Sequence, residues 1–437
     1  MADPWIGILG IVSLIGAILA GVNVFVALGA VGFIGIWVLA GFTPATTVLS
    51  SVVYNVVHSF HFSVVPMFLL MGFFAMRAHI GQDLFAAATK WLGRIPGGLA
   101  IAATSAAAAF GAASGSSVGT ATLFTKLALP AMLERGYDKS LASASIAISG
   151  TLAVLIPPSA LIVIYGILTN SSIGPLLLAG IVPGALFAVL LCLVTLVWAI
   201  LRPERAPRAQ EAASWAEKFY SIRLVGPLVV VMIAIIGGLY TGVFTPTEAG
   251  GIGAFVTFVM AIIRQRGLRG VEIPAALRET VQLTAMIFAI IISGLAFSRF
   301  LALSGTTRLL SGLLAGGTVD PWLVVLLVTL IYLFLGMLMD APALLAVSLP
   351  ITHPVMMQLG YDPIWFGIYV VVLAEIGAVT PPVGLNCFVV KGAAGDLIRL
   401  EDVFKGLTPY ILVSFLMLGA LLAWPEIVLY IPQNMHR

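Results

Sequence analysis

Apolar stretches recur along this chain at about 5–41, 46–80, 97–133, 140–169, 174–201, 223–240, 248–263, 281–303, 321–354, 363–390 and 406–431, roughly eleven blocks in 437 residues. No other feature limits the fold as much. About 20 apolar residues in a helix match the ~30 Å hydrocarbon thickness of a bilayer. A lone globular core stops growing at about 250 to 300 residues, whereas a bilayer accepts any number of such helices. Hydrophobic residues make up 61% of the chain and charged residues 9%, against roughly 25% charged in soluble proteins. The chain is therefore read as an all-α polytopic membrane protein.

The charge that remains lies between the blocks. A net charge of +3 in short clusters gives no nucleic-acid surface. Cys192 and Cys387 lie far apart in apolar segments and read as small core residues, not as a disulfide or metal framework. The first apolar run has no basic residue before it and is too long for a signal-peptide core, so it is expected to stay, as one long or two short helices. The longest polar stretch, 202–223, carries Arg202, Arg205, Arg208, Lys218 and Arg223. It reads as a cytoplasmic connector near the middle of the chain. The other basic clusters are Lys90 with Arg94, Arg135 with Lys139, Arg264 with Arg266 and Arg269, and Lys391 with Arg399 and Lys405. The positive-inside rule places all of them in the cytoplasm. The turns at 170–174 and 240–248 have no basic residue and fall outside. Segment 270–280, with Glu272, Arg278 and Glu279, is polar enough to lie along the membrane surface.

Comparison of the chain with itself shows a duplication. Pro130, Gly136, Tyr137, Asp138, Pro157 and Pro158 recur as Pro354, Gly360, Tyr361, Asp362, Pro381 and Pro382, each 224 positions later without a gap. Gly180 and Pro183 recur 226 positions later as Gly406 and Pro409. The first Gly-Tyr-Asp is flanked by Arg135 and Lys139, and the second has no positive neighbour. One turn reads as inside and the other as outside, which is the pattern of inverted repeats with a binding site at their interface near the midplane. A parallel duplication, or a packing motif reused, is the alternative; the charge asymmetry argues against it. The resulting units are 1–95, N-terminal scaffold or arm helices; 96–201, a first transport repeat; 202–222, the connector; 223–320, second scaffold or arm helices; and 321–437, a second transport repeat.

Each repeat carries two features that a plain spanning helix avoids. The first is a polar tip inside an apolar block. Arms at 101–110 and 121–133 flank Gly111, Ser114, Gly115, Ser116, Ser117 and Gly119, and arms at 323–334 and 343–351 flank Gly336, Asp340 and Pro342. Arms of about 10 to 13 residues reach about 15 to 20 Å, too short to cross, so both blocks are expected to be re-entrant hairpins. The second is a proline pair within a helix, Pro157-Pro158 and Pro381-Pro382, which removes backbone donors and should interrupt both helices. Unwound backbone at this depth is tolerated only in protein or at a cavity. Carbonyl and hydroxyl oxygens at such breaks suit a hard monovalent cation, and half-helix N-termini attract carboxylates.

Asp340 is the sharpest single residue, since a carboxylate within the membrane costs about 2.5 to 3.5 kcal/mol on insertion scales. It binds the cation, contacts the substrate, or caps the half-helix that follows. The cluster Ser114, Ser116 and Ser117 reads as a site or as small-residue packing. Asn386 donates to a substrate carboxylate or packs as a plain amide. Glu375, beside the second break, is a structural acid or a proton carrier, and Glu248 is weaker. His58 and His61 fall short of the ligands a structural metal needs and read as interfacial. No P-loop, HExxH, Gly-x-Ser-x-Gly, kinase or dinucleotide signature occurs, so neither an enzyme nor an ATP-driven pump is expected.

At these residues the sequence resembles the large membrane subunit of the TRAP (tripartite ATP-independent periplasmic) transporter family. The matching elements are Phe110, Gly111, Ser114, Gly115, Ser116 and Ser117; Pro130 with Gly136-Tyr137-Asp138; Gly150-Thr151-Leu152 with Ile156-Pro157-Pro158-Ser159; Gly336, Asp340, Pro350 and Pro354; and Thr380-Pro381-Pro382-Val383-Gly384. The resemblance covers nearly the whole chain. It implies an elevator-type transport domain on a scaffold in the bacterial inner membrane, and sodium-driven uptake of an organic acid with no cofactor beyond the coupling ion. It also implies two partners: a small membrane subunit and a periplasmic substrate-binding protein. By position, one sodium site would draw on Ser114, Ser117, Ala153, Ile156 and Pro157, and the other on Gly336, Gly377, Thr380 and Val383. Ala153 and Ile156 stand 224 positions before Gly377 and Thr380. A glycine is expected where Ala153 stands, and that departure bears on the first site. Ser116, Asp340 and Asn386 remain substrate or ion candidates. The rival within transport is a single-component sodium- or proton-coupled organic anion symporter of related fold.

Overall fold

The first apolar run folds as two helices, α1 (Pro4–Leu19) and α2 (Val24–Ala40), joined by a short turn. The computed structural model describes residues 3–208, 213–264, 272–315 and 319–435, and every regular element among them is helical. Next come α3 (Phe42–His58), α4 (Val64–Arg77) and α5 (Ile80–Leu92). The α5 helix is amphipathic, burying Ile80, Leu84 and Ala87. The first repeat consists of α6 (Gly98–Ser114), α7 (Ser117–Glu134), α8 (Lys139–Leu155), α9 (Ala160–Thr169), α10 (Ile173–Ala179) and α11 (Ile181–Leu201). Then follow α12 (Trp215–Tyr240), α13 (Pro246–Arg264), α14 (Ile273–Ser304) and α15 (Thr306–Ala315). The second repeat has α16 (Pro321–Leu338), α17 (Ala341–Gln358), α18 (Pro363–Gly377), α19 (Leu385–Ala394), α20 (Leu400–Ala423) and α21 (Glu426–Gln433).

The recurring Gly-Tyr-Asp is a turn device. Gly136 and Gly360 have φ of +80° and +85°, a left-handed conformation that glycine adopts without penalty. The Tyr137 and Tyr361 amides then reach back to the carbonyls of Met132 and Met356, at 3.0 and 3.1 Å, closing α7 and α17. Asp138 caps α8 by accepting from the amides of Ser140 and Leu141, and Asp362 caps α18 by accepting from those of Ile364 and Trp365. The motif that exposed the duplication therefore ends one helix and starts the next in each repeat.

Two contacts join the repeats, and a third ties the first turn to the connector. Tyr165, near the end of α9, donates its hydroxyl to the carbonyl of Pro363, the first residue of α18, at 2.7 Å. The far end of one broken helix thus meets the near end of the other, so the two run in opposite senses and their Gly-Tyr-Asp turns lie at opposite ends of the bundle. At the first turn, the Asp138 amide donates to the carbonyl of Arg205 in the connector at 2.8 Å. The α20 helix starts at that same end, because Gly406 lies against the Ser140 carbonyl. The basic residues around 135–139, 202–205 and 399–405 therefore share one face, as the positive-inside rule requires. Arg264 pairs with Asp83 and donates to the carbonyls of Ala78 and Leu224, while Arg77 pairs with Glu279, at 3.3 Å.

The Gly406 contact is close enough to test. A Cβ there would fall 2.0 Å from the Ser140 carbonyl oxygen, whereas one at Gly419, farther along the same helix, would meet nothing within 4 Å. Gly406→Val is expected to destabilise the fold by about 3 kcal/mol or more through overpacking against backbone. Gly419→Val is expected to leave stability within about 0.5 kcal/mol. Thermal unfolding of the two purified variants in detergent measures the difference.

Among the described residues, seven helices are long and apolar enough to cross a membrane, and the bent pair α8 and α9, at 47°, makes an eighth span. Three sequence expectations need correction. The hairpin arms are longer than the apolar runs alone suggested: α6 has 17 residues and α7, α16 and α17 have 18 each. The small polar residues at the tips extend the helices, since helical hydrogen bonding satisfies their backbone. At 17 or 18 residues the arms reach the lower end of the spanning range, and α16 is itself one of the seven helices long enough to cross. Second, the connector is partly helical, because Ser214 and Glu217 form a capping box that starts α12 inside it. Third, the described part of segment 270–280 opens the 32-residue α14. Pro274 suits a first turn, and Ala276 and Thr280 pack inward while Glu279 pairs with Arg77. Arg266, Arg269 and residues 270–271 lie outside the described residues.

Candidate functional site

In the first repeat, the hairpin tip is the two-residue turn Gly115-Ser116. Ser116 caps α7 by accepting from the Gly119 amide at 3.1 Å, and the Ser114 and Thr120 hydroxyls are bonded at 2.9 Å. This tip lies against the proline break. A Cβ on Gly115 would meet the Pro158 oxygen at 3.4 Å and the Ala160 nitrogen at 3.3 Å. One on Gly111 would fall 2.3 Å from the Ala153 Cα, and one on Gly150 would fall 2.9 Å from the Ser117 oxygen. The α6 end, the α7 start and the α8 end are thus in backbone contact. Ser114, Ser117, Ala153, Ile156 and Pro157 gather around that junction.

Ala153 is accommodated rather than disruptive. It lies within α8, so its dihedrals are ordinary, and Gly111 opposite supplies the room that a glycine at 153 would have supplied. The carbonyls of Ala153 and Val154 point toward positions 157 and 158 for their helical donors. Both are prolines and have no N–H. Ile156 leaves the helix in an extended conformation, and Ser159 caps α9 through the Ile162 amide at 3.3 Å.

The second repeat repeats the junction. Gly336 and Gly377 face each other backbone to backbone: a Cβ on Gly377 would lie 2.8 Å from the Gly336 Cα. The helical donors for Gly377 and Ala378 would be Pro381 and Pro382, again without N–H. Here the Gly377 carbonyl accepts from the Thr380 amide at 3.0 Å, and that of Ala378 accepts from Asn386 at 2.9 Å. The Thr380 hydroxyl donates to the Ile376 carbonyl at 2.5 Å. Both proline pairs are joined by cis peptide bonds.

The two junctions differ in access. Pro157, Pro158 and Ser159 are buried, whereas Pro381 and Pro382 are exposed. Asp340 and Val383 line a cleft of about 380 Å³ that the α1–α2 turn, Gly21 to Val24, also lines. Asp340 occupies the capping position of α17, but its carboxylate makes no capping hydrogen bond. The capping role weighed for it is therefore not the one its side chain fills.

The remaining candidates separate cleanly. Glu248 is structural: its carboxylate accepts from the amide and hydroxyl of Thr245, at 2.8 and 2.9 Å, at the start of α13. His58 stacks on Tyr54, and His61 lines a cavity of about 680 Å³ with the 170–174 and 245–247 turns. Among the described residues, no three His, Cys, Asp or Glu side chains gather as a metal site. Cys387 donates to the Val379 carbonyl and Cys192 lies beside Ser105, as core residues do. Asn386 is fully buried with neither amide atom partnered. Glu375, 3% exposed, neighbours Ser117 across the repeat boundary. Sequence reasoning found Glu375 but not that contact, nor the part played by Gly111, Thr120 and the α1–α2 turn. An offset of 41 or 42 positions between hairpin glycine and helix end, common to both repeats, was the available signal for Gly111.

Residues 11–427 match the family model described as the DctM component of tripartite ATP-independent periplasmic transporters. The C4-dicarboxylate TRAP transporter large permease protein DctM of Pseudomonas aeruginosa is 35% identical over 84% of this chain and 83% of its own. The ectoine TRAP transporter large permease protein TeaC of Halomonas elongata is 29% identical over 96% of this chain and 97% of its own. Among solved structures, the YdaH transporter of Alcanivorax borkumensis, described as having an unusual topology, shares the fold with a TM-score of 0.64 at 16% identity, covering 89% of this chain and 90% of that chain.

Proposed function

The chain belongs to the DctM component family of tripartite ATP-independent periplasmic transporters and is a large permease of that family, and from this premise we propose that it couples inward sodium flow to uptake of an organic carboxylate across the bacterial inner membrane. One observation carries the proposal: in each repeat a hairpin is pressed onto a helix break at a proline pair, which re-routes the Gly377 and Ala378 carbonyls to the Thr380 and Asn386 amides in the second repeat and takes the helical donors from the Ala153 and Val154 carbonyls in the first. Such oxygens at mid-membrane need a cation or a donor, since leaving a polar group unpaired there costs several kcal/mol. One sodium is held by Ser114 and Ser117 with the backbone of Ala153, Ile156 and Pro157. The other is held by Gly336, Gly377, Thr380 and Val383.

In each repeat the two arms, α6 with α7 and α16 with α17, pack on each other across a two-residue tip, which supports hairpins that enter and leave on one side. The substrate carboxylate sits between the tips, near the N-termini of α7 and α17, with Ser116, Asp340 and Asn386 in reach of it or of the ions. The helix ends favour negative charge there. Movement of the two repeats' hairpins and broken helices as one body against the remaining helices would carry ions and substrate across together. A small membrane subunit completes the scaffold and a periplasmic binding protein delivers the acid. The family match favours this tripartite reading over a single-component symporter. The named relatives differ in substrate, C4-dicarboxylate in one and ectoine in the other, so the acid is set by more than the shared fold.

Reconstitution into proteoliposomes with the small subunit and candidate binding proteins tests the proposal. Uptake is expected with an inward sodium gradient, and little with a proton gradient or none. Equal uptake in all three refutes sodium coupling. Sidedness has its own test. Single cysteines at positions 136 and 360, in a chain with Cys192 and Cys387 replaced by alanine, are expected to react with an impermeant thiol reagent from opposite compartments. Labelling of both from one side would remove the inverted arrangement.

A further inference from the structure

Glu375 is a buried ionisable side chain that the transport reading above does not use. It is 3% exposed, one of its carboxyl oxygens has no hydrogen-bond partner, and the Ser117 hydroxyl lies beside it. It stands in the last turn of α18, where the helix dipole opposes a negative charge. Asn386 is 0% exposed with both its amide oxygen and nitrogen unpartnered. Its backbone is tied to Ala378, three residues past Glu375, and its helix α19 packs on α7, which Ser117 begins, and on α8. Both side chains thus belong to elements that border the start of α7, Glu375 through its neighbour Ser117 and Asn386 through the packing of α19 on α7.

We infer that Glu375 and Asn386, with the Ser117 hydroxyl shared with the first sodium site, form a third cation position common to both repeats. The chemistry of the donors selects the ion. A carboxylate, a hydroxyl and an amide oxygen are hard ligands, suited to hard cations. With one carboxylate and no gathering of three acids, histidines or cysteines among the described residues, only a monovalent ion leaves the position neutral. An anionic substrate is repelled by the same carboxylate. The duplication does not produce this position twice: Thr151 and Ile162 stand 224 positions before Glu375 and Asn386. It arises only where the first hairpin meets the second repeat, so filling it ties hairpin α6–α7 to α18. That tie is what would make sodium binding at one junction depend on the other.

This inference rests on the sodium reading above, and the experiment separates the two. Equilibrium binding of radiolabelled sodium to the purified full-length chain in detergent counts ions per chain. The wild type is expected to bind one sodium more than Glu375→Gln. Asn386→Leu is expected to weaken the same equivalent at least tenfold. Glu375→Asp, which keeps the charge, is expected to keep the count, and guards against a Gln variant that fails to fold. If Glu375→Gln binds as many ions as the wild type with equal affinity, the third position is refuted and the sodium reading stands. If the wild type binds no sodium, both fall.

Discussion

Gly377→Ala is expected to stop sodium-driven uptake while leaving the protein in the membrane. The added Cβ would lie 2.8 Å from the Gly336 Cα and 2.9 Å from its carbonyl carbon, so it meets backbone and not a side chain that could rotate away. Overpacking of this kind typically costs about 1 to 3 kcal/mol. The chain can relieve it only by moving the α16 end away from the α18 end. Those two ends supply Gly336, Gly377 and Thr380, so the relief spreads the oxygens proposed to hold the second sodium. A loss of about 1.4 kcal/mol in ion binding is a tenfold loss of affinity, and coupled uptake should fall by at least that factor. The informative comparison is Ala153→Gly in the first repeat. That change removes a methyl that already fits against Gly111 and should leave uptake within about threefold. Uptake by Gly377→Ala equal to wild type, measured in proteoliposomes with the full partner set, would show that the contact has no part in transport.

This pair of positions also shows what could be read in advance and what could not. The duplication was legible because its markers are local: a glycine that must turn left-handed, an aspartate that caps the next helix and a proline pair that ends one. Each acts within a few residues, so each leaves a fixed spacing in the sequence. That the two turns lie at opposite ends of the bundle was legible from Arg135 and Lys139 for the same reason. The lengths of the hairpin arms were not, because Gly111 to Ser114 continue α6 although they are small or polar, and Gly336 does not stop α16 before Leu338. The start of α14 was hidden likewise: Glu279 looks like a surface residue until Arg77 is seen beside it. Least legible was the compensation at Ala153, since its partner Gly111 is 42 positions earlier and no local rule links them. The neighbourhood of Glu375 and Ser117 belongs to the same class, being a contact between repeats.

Asp340→Ala is expected to abolish coupled uptake with no loss of folded protein, and the structure separates these two outcomes. Removing a working helix cap costs about 0.5 to 2 kcal/mol, but the Asp340 carboxylate makes no capping bond. Its loss should therefore leave the thermal transition of the purified protein within a degree or two of the wild type, a shift of under about 0.5 kcal/mol. The carboxylate instead lines the cleft at the exposed second break, with Val383 and the α1–α2 turn. The corresponding position in the first repeat is Ser116, 224 residues earlier, which does cap its helix. Equivalent backbone thus carries a neutral capping hydroxyl at the buried junction and an acid at the open one. A contact from a charged group to an ion or a donor is worth about 1.5 to 3 kcal/mol, or roughly a 10- to 100-fold loss of uptake when removed. Asp340→Asn distinguishes charge from hydrogen bonding: if the negative charge is what matters, it should be as inactive as Asp340→Ala. Ser114→Ala, which breaks the 2.9 Å bond to Thr120 and removes an oxygen from the first junction, should instead raise the sodium concentration needed for uptake by at least about tenfold. Wild-type uptake by Asp340→Ala at saturating sodium would exclude the acid from both ion and substrate binding.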